Sequence, residues 1–394
     1  MKKFFIILTS GFLMSAYSQE SLSDSFSSLS AVMARLKSGN EISITALGGS
    51  ITTGYAANPP LQKGWAAVVN EWWQKKAEET GGRVVYYNAG VSGTDSAFAA
   101  ARLKDHILDR NPDLVFLEFA MNDQWLDRRV RERSYEGIIR SMLKNGSAVF
   151  SLFVNEKNPP YRSNQEEQQK ICSHYGIPYI SWKDCVSSEN DGTVWNTYFN
   201  GAETIHPNDA GHASIASYII EQLEKVWASQ GSNADIRIPY ELPDPLTQAD
   251  FENTSVLYSI TAEPVLNTGW ETGSPSHDDW KRIGNVKQGW NTAKADAVIS
   301  FEVSGTSCGI LYAESNTYRN GEAWIEWFDG TTGKKVSLNC YNASRNGYLG
   351  WYYAEIFCGT DVKKGILHIA VKKSRATDEG KFVNIAGIVL TGVQ

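Results

Sequence analysis

The sequence predicts an α/β domain built on a parallel sheet, followed by an all-β sandwich. Three observations lead there. Strand and helix patterns alternate over about the first 230 residues, an order that calls for crossover connections and parallel strands. One strand of that region, DLVFLEFA (113–120), is almost wholly apolar, as a strand covered on both faces must be. Beyond about residue 235 the helical period is lost, and short alternating runs separated by Gly, Asn and Asp take its place.

Taken in order, residues 21–38 space Leu22, Phe26, Leu29, Met33 and Leu36 as one face of an amphipathic helix. EISITAL (41–47) is an alternating, β-branched strand that runs into Gly48-Gly49-Ser50. A helix is expected over 64–82, ending at Gly81-Gly82, then a strand over 83–90 and a helix over 96–110. The apolar strand 113–120 follows. After it come a helix near 131–144, a strand at 148–154, a helix near 164–175, a short strand at 178–181 and a last helix from Pro207 to about Ala228. Pro239, Pro243 and Pro245 then mark a stiff polar connector. The runs AVISFEVSG, CGILYAES, EAWIEWFDG, KKVSLNCYN, GYLGWYYAEIFCG, GILHIAVKK and VNIAGIVLTG are the strands of the sandwich.

A chain of 394 residues exceeds what one core ordinarily serves. Four segments are expected: a leader at 1–18, an α/β domain at 19–232, the connector at 233–260 and the β-sandwich at 261–394. The leader rests on Lys2-Lys3, the apolar run from Phe4 and the small residues Ala16 and Ser18, which predict export to a periplasmic or extracellular space. No later segment is long and uncharged enough to span a bilayer. The formal net charge is −7, and no basic block offers a surface for phosphate backbones, so nucleic acid is not an expected partner. Five cysteines do not make a disulfide framework. Export permits a Cys172–Cys185 bridge, with buried thiols the other reading. Nothing in the sequence assigns an oligomeric state.

Sheets of this kind gather their sites at the carboxyl ends of strands. Ser50 lies there, in a turn that glycines either merely ease or use to lift a hydroxyl above the sheet. Gly93, in NAGVSGTDS, is a backbone position with conformational freedom. Asn122, in FAMND, offers a side-chain amide. His206, in ETIHPNDAGH, precedes Pro207 at the mouth of the last helix. A serine hydroxyl needs a base such as imidazole to attack. The resulting oxyanion needs donors, which Ser50 N–H, Gly93 N–H and Asn122 can supply. Glu203, three residues before His206, can hold the ring's tautomer. Asn88 and Asp123 read as loop supports. His212 reads as a cap or packing residue of the last helix. The remaining histidines are scattered without a ligand pattern, so no metal and no cofactor are expected.

Those four segments, in that order, resemble the blocks of the SGNH (GDSL-type) hydrolase superfamily over about residues 40–228. The resemblance implies a flavodoxin-like three-layer α/β/α fold and metal-free esterase activity, with Ser50 as nucleophile. It also implies Gly93 and Asn122 as oxyanion donors, His206 as base and Glu203 in the place of the acid. Gly49 stands where the family usually carries Asp, and Glu203 where it usually carries Asp. Asp191 or a backbone carbonyl could orient the ring in place of Glu203. Met121 replaces the usual glycine of the third block and is expected to narrow the pocket.

The expected activity is removal of acetyl or similar short acyl groups from carbohydrate by an exported serine esterase. Two rivals remain: a lipase or lysophospholipase of the same superfamily, and a carbohydrate-binding protein that has lost activity. Trp195 and Tyr198 read equally as loop packing or as a wall facing sugar. Trp270, Trp280, Trp290, Trp324, Trp327 and Trp351 populate the sandwich. The three-residue step from Trp324 to Trp327 puts them on opposite strand faces, so at least one must leave the core or enter a domain interface, and the sandwich reads either as carbohydrate-binding or as packing on the α/β domain.

Overall fold

The computed structural model describes residues 27–189, 193–229, 242–273, 289–316, 321–342, 350–372 and 382–392. The expected leader, Asp191, Trp280 and the first part of the connector lie outside the described residues.

Helix α1 (Ser27–Lys37) precedes β1 (Glu41–Gly48), and helix α2 (Trp65–Thr80) leads to β2 (Arg83–Asn88). Helix α2 stops where Gly81 turns left-handed, with φ 73°. Then come α3 (Ser96–Ala101), β3 (Leu114–Glu118), α4 (Arg128–Lys144), β4 (Ala148–Phe153), α5 (Gln165–His174), β5 (Tyr179–Ser181), α6 (Trp182–Glu189) and α7 (Asp209–Ser229). The five strands pair in parallel in the order β2-β1-β3-β4-β5, the flavodoxin-like winding. All five β3 residues are buried, because apolar clusters cover both sheet faces. Leu29, Trp73 and Ile219 of α1, α2 and α7 pack on one side, and Phe98, Ile138 and Ile171 of α3, α4 and α5 on the other.

The single helix expected over 96–110 is instead a succession of short pieces. It breaks at Arg102, whose buried guanidinium donates to the Ala89 carbonyl at 2.7 Å. Cys172 is a buried thiol within reach of Ser151 and Tyr135, and not half of a bridge.

The second sheet is antiparallel and nine-stranded: β6 (Thr254–Leu257), β7 (Leu266–Asn267), β8 (Glu271–Thr272), β9 (Trp290–Thr292), β10 (Val298–Glu314), β11 (Glu322–Phe328), β12 (Gly333–Asn339), β13 (Gly350–Val371) and β14 (Val383–Thr391). Its path is β12-β11-β13-β10-β14-β9-β8, with β6 added on β14 and β7 on β10. Four of the expected runs fuse into two long strands, β10 and β13. Register shifts between Gly305 and Ser307 and between Cys308 and Gly309 bend the ladder where the sequence suggests a turn. Ile299, Ile310, Ile325, Leu367 and Ile388 share one apolar cluster, so the bent sheet closes on itself as a sandwich. Trp327 points into that cluster at 2% exposure, while Trp324 is 37% exposed with Lys335 and Lys372 over its ring at 4.5 and 3.8 Å.

Within the stretch read as a connector, residues 246–252 are bonded to α4 and Thr254–Leu257 forms β6 on the second sheet. Arg133 on α4 makes a bidentate pair with Asp250 (2.8 and 2.7 Å) and a further bond to Glu355 (2.6 Å). Asp250 also accepts from Ser307 and Thr391, each at 2.7 Å. One helical turn on from Arg133, Glu136 accepts the Leu246 and Thr247 N–H groups, and two turns on Arg140 bonds Glu252. Gly137 lets this segment approach, since a Cβ there would lie 2.7 Å from the Phe251 backbone. Around these pairs Phe98, Phe251, Trp351, Tyr353 and Val389 form one continuous apolar cluster.

Burial pushes the Asp250 carboxyl up, but the hydrogen bonds and charge of Arg133 outweigh it and hold the group below the usual carboxylate range. Arg133→Met leaves Asp250 and Glu355 without their cation, which is expected to cost about 3–5 kcal/mol. Urea unfolding at neutral pH measures it, and a midpoint equal to wild type would show that the pair does not hold the domains together.

Candidate functional site

The chain leaves β1 through Gly48 and Gly49 into one helical turn, Ser50–Thr53, closed by Gly54 with φ 85°. Thr53 Oγ1 donates to the Ser50 carbonyl at 2.7 Å, which fixes the turn from within. The Ser50 side chain is largely buried, and its Oγ lies 2.9 Å from His206 Nε2. His206 stands just before α7, in a segment tied down by the bridge between Phe199 and Pro207. The two residues are 156 positions apart in sequence and meet through the fold alone.

Asn122 begins the short helical turn after β3 and lies over Gly49, where a Cβ would be 2.5 Å from its Oδ1. Gly93 takes φ 73° in the loop after β2, with open space where a side chain would be. That loop is bound to the serine turn. Asn88 Nδ2 donates to the Thr52 carbonyl at 2.7 Å, Ser92 and Thr53 hydroxyls lie 3.3 Å apart, and Val91 N–H donates to the Gly48 carbonyl at 3.0 Å. Ser50, Asn122 and His206 therefore converge, with the Gly93 loop fastened beside them.

Glu203 is nearby, but its first obligation is elsewhere. Its Oε1 accepts the backbone N–H groups of Thr204 (3.0 Å), Ile205 (2.9 Å) and His206 (3.3 Å). The same oxygen is 3.5 Å from His206 Nδ1, beyond a well-formed hydrogen bond, and Nδ1 has no directed partner among the described residues. Burial lowers the His206 pKa, and the Glu203 charge raises it by less, so the ring is held below its ordinary 6.5 and is neutral at pH 7.

Two residues that sequence reasoning passed over, Tyr55 and Glu118, and one that it gave another role, His212, shape the site. The Tyr55 ring lies 4.4 Å from the His206 ring, centroid to centroid, and is 51% exposed. His212, expected as a cap or packing residue, is buried and ties the loops. Its Nδ1 accepts from Trp65 N–H at 3.2 Å, and its Nε2 lies 3.1 Å from the Tyr55 carbonyl. Glu118, at the end of β3, is fully buried and bonds Thr52 Oγ1 at 3.0 Å. Of the two readings of Trp195 the structure takes loop packing, since it is 2% exposed and packed against Trp182 at 4.8 Å and Tyr161 at 5.5 Å. One expectation is corrected. Met121 does not narrow a pocket, because its side chain is buried in the α1–α2–α7 cluster. Asp123 is a strut that accepts Ser96 N–H at 2.8 Å and Gln168 Nε2 at 2.9 Å. Among the described residues no group of three or more His, Cys, Asp or Glu side chains could hold a metal ion, and no helix is long and apolar enough to cross a membrane.

Residues 46–214 match the GDSL-like lipase/acylhydrolase family. The chain is also similar in structure to a two-domain esterase active on acetylated mannans, with a TM-score of 0.80 and 26% identity, covering 94% of this chain and 96% of that one. A crystal structure of a two-domain esterase active on acetylated mannans, co-crystallized with mannopentaose, matches with a TM-score of 0.79 and 26% identity over 94% of this chain and 95% of that one. No curated protein matches the chain.

Activity that needs neutral His206 is expected to fall only below pH 6.5, since the folded pKa is depressed. In Glu203→Gln the oxygen that accepts the three N–H groups remains, while the charge that raises the His206 pKa is gone. The acid limb of kcat/KM should then move to lower pH, and kcat should drop by less than in His206→Ala. A pH–rate profile on p-nitrophenyl acetate decides it, and an acid limb that does not move would remove Glu203 from the electrostatics of the base.

Proposed function

We propose that this chain, whose residues 46–214 match the GDSL-like lipase/acylhydrolase family, is a carboxylic ester hydrolase that removes acetyl or other short acyl groups from carbohydrate through an acyl-serine on Ser50. The observation that carries the mechanism is the 2.9 Å contact between Ser50 Oγ and His206 Nε2. Oγ attacks the ester carbonyl while Nε2 takes its proton. The oxyanion is received by the Asn122 amide and by the N–H groups of Ser50 and Gly93. Collapse breaks the bond to the sugar oxygen, which leaves as an alcohol with the proton from His206. Water, deprotonated by the same nitrogen, then splits the acyl-serine and restores the hydroxyl.

The carbohydrate reading is supported by the likeness to an esterase active on acetylated mannans, which extends over both domains of this chain. The exposed Tyr55 ring beside His206 supports it as well, since a pyranose can stack on such a face at the position of the leaving alcohol. The Lys2-Lys3 leader pattern supports export, to where such polysaccharides are met.

Ser50→Ala should lower kcat by about a thousandfold or more. Its melting temperature should stay near wild type, because the hydroxyl's cross-chain partner is His206. Acetate release from acetylated mannan oligosaccharides, measured beside p-nitrophenyl esters of rising chain length, tests the substrate. Preference for acetyl over long acyl chains by about tenfold or more is expected. Preference for long chains would make the protein a lipase, and no turnover of any ester by the folded chain would make it a binding protein.

A further inference from the structure

Beneath the serine turn lies a buried acid for which the hydrolytic steps above have no use. Glu118 ends β3 in register with Gly48 of β1 and is fully buried. Its Oε2 accepts from Thr52 Oγ1 at 3.0 Å. Oε1 is buried without a partner among the described residues. Burial raises the group to about 7 against the lowering effect of the Thr52 hydroxyl and the nearby Gly49 N–H. For stability alone such a residue is a poor choice, because a desolvated acid with a bare oxygen costs more than an apolar side chain of similar size.

The Thr52 hydroxyl it engages lies two residues after Ser50, and Gly48, its neighbour in register on β1, lies two residues before. Thr52 is held from the other side as well, since its carbonyl accepts Asn88 Nδ2 at 2.7 Å. Gly48 belongs to the same arrangement. A Cβ there would run into Thr52 Oγ1 and lie 2.7 Å from the Glu118 carbonyl oxygen, so glycine alone lets Thr52 fold back to the acid. A buried carboxyl thus reaches the serine turn from the neighbouring strand.

We propose that Glu118 is a positioning residue of the esterase reaction: by anchoring Thr52 Oγ1 it fixes the turn that carries Ser50 and aims Oγ at His206. The inference rests on Ser50 being the nucleophile. It concerns the rate of the chemical step and not the affinity for substrate.

The test compares Glu118→Met, Glu118→Gln, Thr52→Val and the double variant Glu118→Met/Thr52→Val on p-nitrophenyl acetate, each checked for folding by circular dichroism. Glu118→Met should lower kcat by about tenfold or more with KM changed by less than about twofold. Glu118→Gln, which keeps an acceptor oxygen of the same reach, should recover kcat to within about threefold of wild type. Thr52→Val keeps the shape and loses the donor, so it should resemble Glu118→Met, and the double variant should be no slower than the worse single one. Wild-type kcat in a folded Glu118→Met overturns the proposal, as does a Gln variant as slow as Met or penalties that multiply in the double variant. Should Glu118→Met not fold, Thr52→Val alone decides, with kcat within about twofold of wild type counting against the proposal. Near-normal activity of Ser50→Ala would instead overturn the nucleophile assignment, so the two failures are distinguishable.

Discussion

Gly48 and Glu118 pair across the parallel β1–β3 ladder, at the carboxyl ends of the two strands on either side of the point where strand order reverses. Space there is the constraint on which the site depends. A methyl group on Gly48 would collide with Thr52, and one on Gly49 would collide with Asn122. Neither glycine has a positive φ, so their use here is close approach and not an unusual backbone angle. With both side chains absent, the turn after β1 settles against the loop after β3, and a hydroxyl and an amide from distant parts of the chain come to one place.

The same economy of space operates between the domains. Arg133, Glu136 and Arg140 are spaced to share one face of α4, and that face, polar in sequence, is covered by residues 246–252 and the β10–β13–β14 ladder. Charged groups are not buried singly there. Asp250 is met by a guanidinium and two hydroxyls, and Glu136 by two N–H groups and hydroxyls of Tyr175 and Thr247. Such an arrangement fixes orientation more than it adds net stability, which suits a sheet whose loops must keep their distance from a second domain.

Much of this was legible in the sequence, and what was not has physical reasons. The alternation of strand and helix and the order of four polar positions after strands are local patterns, and Ser50, Asn122 and His206 follow from them. Glu118 escaped because DLVFLEFA reads as a core strand. The signal was present, since a carboxyl in a run buried on both faces demands a partner, but the partner is set by the β1–β3 register. Trp195 and Trp324 show the limit of aromatic counts, because period gives the side of a strand or turn and not what lies across from it. The fusion of runs into β10 and β13 was hidden because Gly305 and Gly309 look like turn residues, whereas here they sit at shifts of register.

Glu203 shows how one spacing can serve two ends. A carboxylate three residues before a histidine can reach its ring, and it can equally close a turn by accepting the N–H groups that follow it. Here Oε1 accepts three such groups and meets the imidazole only at 3.5 Å. The position of the ring is therefore set by other contacts: the Ser50 hydroxyl at Nε2, the Tyr55 ring against its face, and α7, which His212 fastens to the loop carrying Tyr55. These surroundings are largely apolar, so burial outweighs the Glu203 charge and leaves the imidazole neutral. On the proposed mechanism, a base prepared in that way needs no acid to hold it in the ground state, and the Glu203 carboxylate would act only once His206 takes the Ser50 proton and becomes a cation facing it.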